Sequence, residues 1–208
     1  MTAVPTTEFN FELPRGYVDA AGVVHRKGTM RMAMVRDELA AYYDKRVEND
    51  PSYAGAVLLS LVVIRLGTVA DIHADVIKSL PTADLSYLQD MYNRVNAVSE
   101  DDAREAKQSA DGFDFELPHG YLDSSGVLHR SGTMRKATAG DEILVWRHWR
   151  VKAEPAYLPV VLLSRVVTRL GTLTDIPASM FERAYTADYE YLQMLYNQIN
   201  SPDFDSGS

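Results

Sequence analysis

The chain contains no cysteine, and its basic residues are few beside its acidic ones. Without a thiol there is no disulfide, no thiolate metal ligand and no cysteine nucleophile. The 21 Lys and Arg residues against 29 Asp and Glu residues give a formal charge of −8. Since binding to nucleic-acid phosphates requires a surplus of positive charge, we expect no nucleic-acid partner.

Long apolar runs are also missing. The longest, residues 54–66 and 157–167, are shorter than the roughly 20 residues that cross a bilayer, and arginines interrupt or close them. The N-terminal residues have no basic start followed by an apolar run, so no signal peptide is predicted. We therefore expect a cytoplasmic protein with no membrane partner.

The sequence contains none of the short motifs that identify common catalytic and cofactor sites. H-E-x-x-H, the Walker phosphate loop, G-x-S-x-G, the EF-hand loop and G-x-G-x-x-G are all absent. The chain also offers no convergent set of nucleophile, base and electrophile. We expect no cofactor, no metal site and no enzymatic activity.

An internal repeat is the most informative feature that is present. The run FNFELPRGY at Phe9–Tyr17 returns as FDFELPHGY at Phe113–Tyr121, and the match continues without a gap to Asn96 and Asn200. At this offset of about 104 residues, roughly 45 of about 88 paired positions are identical, which predicts a duplicated domain. We call residues that this offset pairs equivalent.

The repeat sets the predicted domain organisation. The linker between the copies has good helix formers but no apolar stripe, so it fits either an extension of the preceding helix or a flexible connection. The predicted segments are a polar tail at 1–8, repeat unit 1 at 9–96, a charged linker at 97–112, repeat unit 2 at 113–200 and a polar tail at 201–208.

Each unit is predicted to belong to the α+β class and to be mainly helical, with an N-terminal β-hairpin followed by three to four helices. Phe9, Phe11 and Leu13 alternate with polar residues, which indicates a strand with one apolar face. The Asp-x-x-Gly sequence at Asp19–Gly22 is typical of a turn, so the second strand of a hairpin should follow it.

Helical segments follow the predicted hairpin. The first runs to about Arg46, and the last begins at Thr82 with a capping threonine and an acidic first turn. Between them lies the most apolar helix, which should end before Gly67. Its predicted core positions are Val57, Leu58, Val62 and Leu66.

Two features shared by the copies fit both a functional and a structural interpretation. The pairs His25-Arg26 and His129-Arg130 could bind a phosphate or supply a base, which leaves a small-ligand enzyme using His25 and His129 as an alternative hypothesis. A histidine on a hairpin more often satisfies a local hydrogen bond, and we favour that interpretation.

The segment Phe-x-Phe-Glu-Leu-Pro-x-Gly-Tyr-x-Asp is kept in both copies although it lies outside the apolar helix. One interpretation is an exposed platform with Tyr17 and Tyr121 as anchors for another protein. The other is that these residues pack the hairpin onto its helices.

Taken together, the shared segments resemble the small phage tail assembly proteins encoded with contractile phage tails and with phage-tail-like extracellular contractile injection systems. The second copy carries the resemblance most fully, and the first departs from it at Leu61 and Ile64. The usual family member carries one unit, whereas this chain has two. The segments that carry the resemblance are Leu117–Arg135, Asp141–Ile143, Leu162–Gly171 and Ala187–Asn200.

The resemblance implies a tail or baseplate assembly chaperone that acts by protein–protein binding and has no catalytic residues. The implied partners are tube, tape-measure or baseplate components, and a permanent structural baseplate subunit is the alternative. Neither the oligomeric state nor the particular partner follows from the sequence. The residues expected to contact a partner are Leu13, Pro14, Tyr17, His25, Arg26, Tyr92, Asn93 and Asn96 in unit 1, and Leu117, Pro118, Tyr121, His129, Arg130, Tyr196, Asn197 and Asn200 in unit 2.

Overall fold

The computed structural model of the protein describes residues 7–98 and 107–201. The chain divides into two compact units, Met1–Ala97 and Val98–Ser208. Each unit combines an antiparallel sheet with several helices, so the predicted α+β class is confirmed. Strands take a larger share of each unit than the expected hairpin, and "mainly helical" is therefore only an approximate description.

Unit 1 contains a sheet in the order β1-β2-β3 among its described residues. β1 (Glu8–Val18) and β2 (Val24–Arg31) form the expected hairpin, which is irregular between Glu12 and Tyr17 where the Leu-Pro-x-Gly sequence interrupts the ladder. β3 (Val63–Leu66) pairs antiparallel with β2. The helices are α1 (Val35–Tyr42), α2 (Lys45–Asn49), α3 (Ala54–Val62), α4 (Ala74–Lys78) and α5 (Thr82–Asn96).

Unit 2 has the same order of elements after one additional strand, β4 (Lys107–Ser109). Its sheet has the order β4-β5-β6-β7 in the described part of the chain, with β5 (Gly112–Leu122), β6 (Leu128–Met134) and β7 (Val167–Leu170). The helices are α6 (Ala139–Arg147), α7 (Trp149–Ala153), α8 (Leu158–Val166), α9 (Ala178–Glu182) and α10 (Thr186–Ile199).

The first predicted helix is wrong in its extent, because it is two helices. α1 ends at Tyr42, and the carboxylate of Asp44 then accepts a hydrogen bond from the backbone N–H of Arg46 at 2.8 Å, which caps α2. In unit 2 the ring of His148 takes the capping position before α7. These breaks raise the helix number of each unit above the predicted three to four.

The apolar helix is also shorter than predicted. α3 ends at Val62, and the β-branched run from Val63 continues as a strand whose residues Leu66 and Val63 face the core. Leu59, which is 2% exposed, packs in the core where Leu58 was expected, whereas Leu58 is only partly buried. A hydrophobic count alone does not separate the two leucines because both lie in a continuous apolar run.

Part of the predicted linker belongs to the sheet. Lys107–Ser109 was expected to continue a helix or to be flexible, yet it forms β4 and pairs with the start of β5. Two residues, Ala110 and Asp111, make the turn, and Gly112 follows it with a φ of +140°. The rest of the linker from 99 to 106, and both predicted tails except residues 7, 8 and 201, lie outside the described residues.

The core of each unit lies between the sheet and the helices. In unit 1, Phe11, Leu13 and Met30 from the sheet pack against Leu59 of α3 and Leu88 of α5. The equivalent side chains of unit 2 are buried to a similar degree. In the described residues we find no helix with the length and apolar character needed to cross a membrane.

Candidate functional site

The shared Leu-Pro-x-Gly segments are held to the last helix of their unit by a buried aspartate. The carboxylate of Asp84, which is fully buried in the first turn of α5, accepts hydrogen bonds from the backbone N–H groups of Arg15 at 2.8 Å and Gly16 at 2.7 Å. In unit 2, Asp188 accepts equivalent bonds from His119 at 2.8 Å and Gly120 at 2.9 Å. The segment therefore has a structural task in both units.

This attachment changes the interpretation of the predicted platform. Leu13 and Leu117 are buried core residues, so their side chains are not on the surface where partner contact was expected. Tyr121 is 4% exposed and its hydroxyl lies 2.6 Å from a guanidinium nitrogen of Arg183, whereas Tyr17 is half-buried. In both units the segment thus contributes side chains to the packing of its own unit.

Pro14 and Pro118 remain accessible at the same bend, Pro14 more than Pro118. The guanidinium group of Arg26 crosses beneath the bend and donates to the carbonyl oxygens of Leu13 at 2.9 Å and Pro14 at 2.6 Å. In unit 2 the buried Nε of Arg130 has no hydrogen-bond partner among the described residues. Arg26 thus satisfies backbone acceptors of its own hairpin, although its side chain is exposed.

His25 and His129 are buried, at 5% and 3% exposure, and each is tied to the preceding turn. Nε2 of His25 lies 2.9 Å from a carboxylate oxygen of Asp19, and its Nδ1 accepts a hydrogen bond from the backbone N–H of Thr68 at 3.4 Å. Nε2 of His129 lies at the same 2.9 Å from Asp123. These contacts favour the local structural interpretation over a base that faces substrate.

The geometry around His25 also explains an invariant glycine of the repeat. Gly67 has a φ of +53°, and a Cβ built on it would lie 2.5 Å from Nδ1 of His25. Any larger residue would have to displace the imidazole ring. The histidine therefore joins the β1–β2 turn to the loop after β3.

The turn aspartates are stabilised in their charged form. The hydrogen bond from His129 is the main cause that lowers the pKa of Asp123, with further contributions from the hydroxyl of Ser125 and backbone N–H groups. The hydrogen bond from His25 likewise lowers the pKa of Asp19. Each carboxylate also accepts hydrogen bonds from two backbone N–H groups of its own turn, so its role is to organise that turn.

The Tyr-Asn-x-x-Asn ends divide into buried and accessible parts. The side-chain oxygen of Asn96 accepts a hydrogen bond from the backbone N–H of Ala33 at 2.8 Å, and its Nδ2 donates to the carbonyl of Tyr92 at 2.8 Å. Asn200 makes the equivalent bonds to Ala137 and Tyr196 at 2.9 and 2.7 Å. These two asparagines join the last helix of each unit to the loop that follows β2 or β6.

Tyr196 and Asn197 lie elsewhere, in a groove between α8 and α10. Leu158, Pro159 and Leu162 form its apolar side, and Gln193 lies on α10 beside them. In unit 1, glycine occupies the position of Pro159, and Tyr92 donates a hydrogen bond to Glu38 at 3.1 Å. Among the predicted contact residues, Pro14, Arg26, Asn93 and Asn197 have exposed side chains, and Tyr196 is partly accessible.

The sequence analysis missed a group of exposed apolar side chains on α6 and α7. Trp146 and Trp149, the two tryptophans of the chain, are 60% and 73% exposed, and Ile143 and Leu144 are about half exposed. We call these four residues the α6–α7 surface. Unit 1 has Leu39, Ala40, Tyr42 and Lys45 at the equivalent positions. In the sequence these residues stand out only as differences between the copies, whereas the predicted contact residues were chosen because the copies share them.

The described residues contain no group of three or more His, Asp or Glu side chains that could hold a metal ion. Comparison of the chain with protein-family models, with curated proteins and with solved structures finds no match.

Proposed function

We propose that this protein is a non-enzymatic assembly factor of a contractile, phage-tail-like injection system and that it acts by protein–protein binding. The observation that carries the binding role is the α6–α7 surface, which exposes two tryptophans together with two aliphatic side chains. The resemblance of the repeated segments to phage tail assembly proteins supplies the kind of partner. The proposed partners are tube, tape-measure or baseplate components, and the proposed location is the cytoplasm.

Physical reasons support the α6–α7 surface as a contact site. Tryptophan is enriched among the residues that dominate binding energy, because it buries a large area with few rotatable bonds. Leaving Trp146 and Trp149 in water forgoes the roughly 25 cal/mol that each Å² of apolar burial contributes. Ile143 and Trp146 are three residues apart on α6, so their side chains lie on neighbouring positions of one helix face.

We further propose that the two units are homologous copies of one ancestral unit. Support comes from hydrogen bonds that recur at the same offset as the sequence repeat. Arg31 binds Asp37 through two guanidinium nitrogens and donates to the carbonyl of Leu61, and Arg135 does the same with Asp141 and the carbonyl of Arg165. The aspartate clamps and histidine-aspartate pairs recur in the same way.

The copies would then differ in task. Unit 1 keeps a tyrosine and a lysine where unit 2 has Trp146 and Trp149, so partner binding through this surface is proposed for unit 2 alone. The accessible Tyr196 and Asn197 of the α8–α10 groove belong to the same unit. The equivalent surface of unit 1 would not contact this partner.

Crosslinking in the native system tests the proposal. The full chain is crosslinked in its native cell, purified and analysed by mass spectrometry. We expect crosslinks between unit 2 and a tube, tape-measure or baseplate component, with Trp146→Tyr/Trp149→Lys reducing them. The matched control Tyr42→Ala/Lys45→Ala should leave them unchanged. Recovery of none of these components would refute the assembly role.

Mass spectrometry of purified assembled particles separates an assembly factor from a permanent baseplate subunit. An assembly factor should be absent from the particles or substoichiometric. A fixed ratio to the baseplate proteins would contradict the proposed role and establish the structural one.

A further inference from the structure

The outer edge of β1 has no partner strand in the part of unit 1 that the structure describes, whereas the equivalent edge of unit 2 is occupied. Among the described residues, β1 pairs only with β2, while β5 pairs with both β6 and the short strand β4. The two sheets are otherwise alike in order and register. The strand β4 of unit 2 thus shows how an additional strand could pair with the equivalent edge of β1 in unit 1.

The backbone of β1 presents hydrogen-bonding groups to that edge. The N–H of Met32 donates to the carbonyl of Thr7 at 2.8 Å, so Thr7 directs its backbone groups toward β2. Alternate residues of an antiparallel strand face opposite neighbours. Glu8, Asn10 and Glu12 therefore direct their N–H and C=O groups away from β2, where no described strand pairs with them and an added strand could.

Thr7 and Glu8 do not form the hairpin turn that unit 2 has at the equivalent positions. That hairpin needs Gly112 at a φ of +140°, where a Cβ would lie 2.5 Å from the carbonyl oxygen of Met134. Unit 1 has Glu8 at this position, and Glu8 pairs with Arg31 in the regular ladder. The strand thus runs straight on to Thr7 where unit 2 turns back.

Burial at the edge is incomplete in unit 1. Phe113, opposite Gln108 of β4, is 4% exposed. The equivalent Phe9 is only partly buried and packs at the margin of its core. A strand beside β1 would cover this ring as β4 covers its counterpart.

Charge indicates the kind of strand that would bind. In unit 2, Lys107 of β4 stands opposite Asp114 and shares a surface depression with Glu116. In unit 1 the edge row carries Glu8 and Glu12 on either side of Asn10. Two basic residues of β2 stand opposite the glutamates, Arg31 opposite Glu8 and Lys27 opposite Glu12, and the guanidinium of Arg31 is already bound to Asp37. Arg65 on β3 donates to Thr29 and Asn10.

A second copy of the chain suits this edge poorly. Antiparallel pairing of β1 with itself about Asn10 would set Glu8 of one chain against Glu12 of the other. Like charges directly opposite each other destabilise a strand pair. We propose instead that the edge of β1 from Glu8 to Glu12 binds an extended segment of a partner protein as an added antiparallel strand, with Lys or Arg opposite the two glutamates.

This inference concerns a second surface and does not depend on the particle with which the protein assembles. The test is titration of the 15N-labelled full chain with three synthetic peptides, followed by NMR and amide hydrogen exchange. The first peptide alternates Lys and Thr. The second replaces Lys by Glu, and the third is the Lys peptide with alternate backbone nitrogens methylated.

With the Lys peptide we expect shifts of the Glu8, Asn10 and Glu12 amides and at least about tenfold slower exchange there. The amide of Asp114, which already pairs with Lys107 of β4, should not change. The methylated and acidic peptides should not bind. The variant Glu8→Lys/Glu12→Lys, whose fold is verified by its unchanged core resonances, should lose the Lys peptide and gain the Glu peptide.

Four outcomes would overturn the proposal. They are absence of protection with the Lys peptide, equal binding of acidic and basic peptides, binding that appears only after deletion of residues 1–6, and edge protection without peptide that grows with protein concentration. The third outcome would mean that the chain fills its own edge, and the fourth that a second copy does.

Discussion

Unit 1 and unit 2 share their buried polar contacts and differ at their surfaces. The aspartate clamp, the histidine-aspartate pair, the arginine-aspartate pair and the closing asparagine occur in both. The α6–α7 surface and the added strand β4 occur in unit 2 alone among the described residues. These buried polar contacts are thus identical in the two units, whereas the exposed tryptophans and the added strand distinguish unit 2.

The largest expected effect comes from the buried leucines, which should matter equally in both units. Leu59→Ala and Leu163→Ala each remove a side chain that is 2% exposed and leave a cavity, so each should cost about 2–5 kcal/mol of unfolding free energy. The matched controls Leu58→Ala and Leu162→Ala, at partly buried positions, should cost clearly less. Chemical denaturation measures all four, and equal costs at neighbouring leucines would show that the register of α3 and α8 is misassigned.

The aspartate clamps should follow in size. Asp84→Ala leaves the N–H groups of Arg15 and Gly16 without their acceptor, which should cost about 1–3 kcal/mol. Asp188→Ala should do the same in unit 2. Hydrogen exchange should locate each loss in the unit that carries the change. The exposed Asp90→Ala on α5 is the control and should stay within about 0.5 kcal/mol of wild type.

The fold was predictable where local signals decide it, and less so where tertiary contacts do. The period-two pattern of Phe9, Phe11 and Leu13 and the Asp-x-x-Gly turn located the hairpin correctly. The run from Val57 to Leu66 satisfied a helical pattern throughout, yet its β-branched end forms β3 because it pairs with the edge of β2. The local sequence does not indicate whether a strand lies beside it.

The candidate site was less predictable than the fold. The sequence shows that both units keep the Leu-Pro-x-Gly segment. It does not show that Asp84, some 70 residues away, accepts hydrogen bonds from the backbone of this segment and so gives it a structural role. The partner for a buried N–H group becomes visible only in three dimensions. The sequence shows that Trp146 and Trp149 differ from their equivalents in unit 1. Their exposure could not be predicted, because it depends on how α6 and α7 are oriented.

The turn aspartates of the two units should contribute differently to the dependence of stability on pH. The pKa values of Asp19 and Asp123 are lowered in the folded state, so their stabilising contributions are complete above about pH 4 and decline as the pH falls toward the folded values. Asp123 also accepts a hydroxyl hydrogen bond from Ser125 at 2.7 Å. Asp123→Asn should therefore lower stability at pH 7 more than Asp19→Asn.

The measurement is thermal unfolding from pH 7 to pH 2. The gap between wild type and each Asn variant should narrow below about pH 4, because there the aspartates of the unfolded wild-type chain bind protons before those of the folded chain do. A gap that stays constant across this range would mean that the charge of the turn aspartates does not contribute.

The smallest stability effect is expected at the α6–α7 surface. Trp146→Tyr/Trp149→Lys places the unit 1 residues on unit 2, and both side chains are mostly exposed. The change in unfolding free energy should be within about 0.5 kcal/mol per residue. A larger loss on denaturation would show that these tryptophans contribute to the core of the unit.

Affinity for the crosslinked tail component, measured with residues exchanged between the units, tests the central claim most directly. Trp146→Tyr/Trp149→Lys should weaken binding at least about tenfold while the protein stays folded. The opposite exchange, Tyr42→Trp/Lys45→Trp, should leave the original binding intact. Undiminished affinity after loss of both tryptophans would contradict the account.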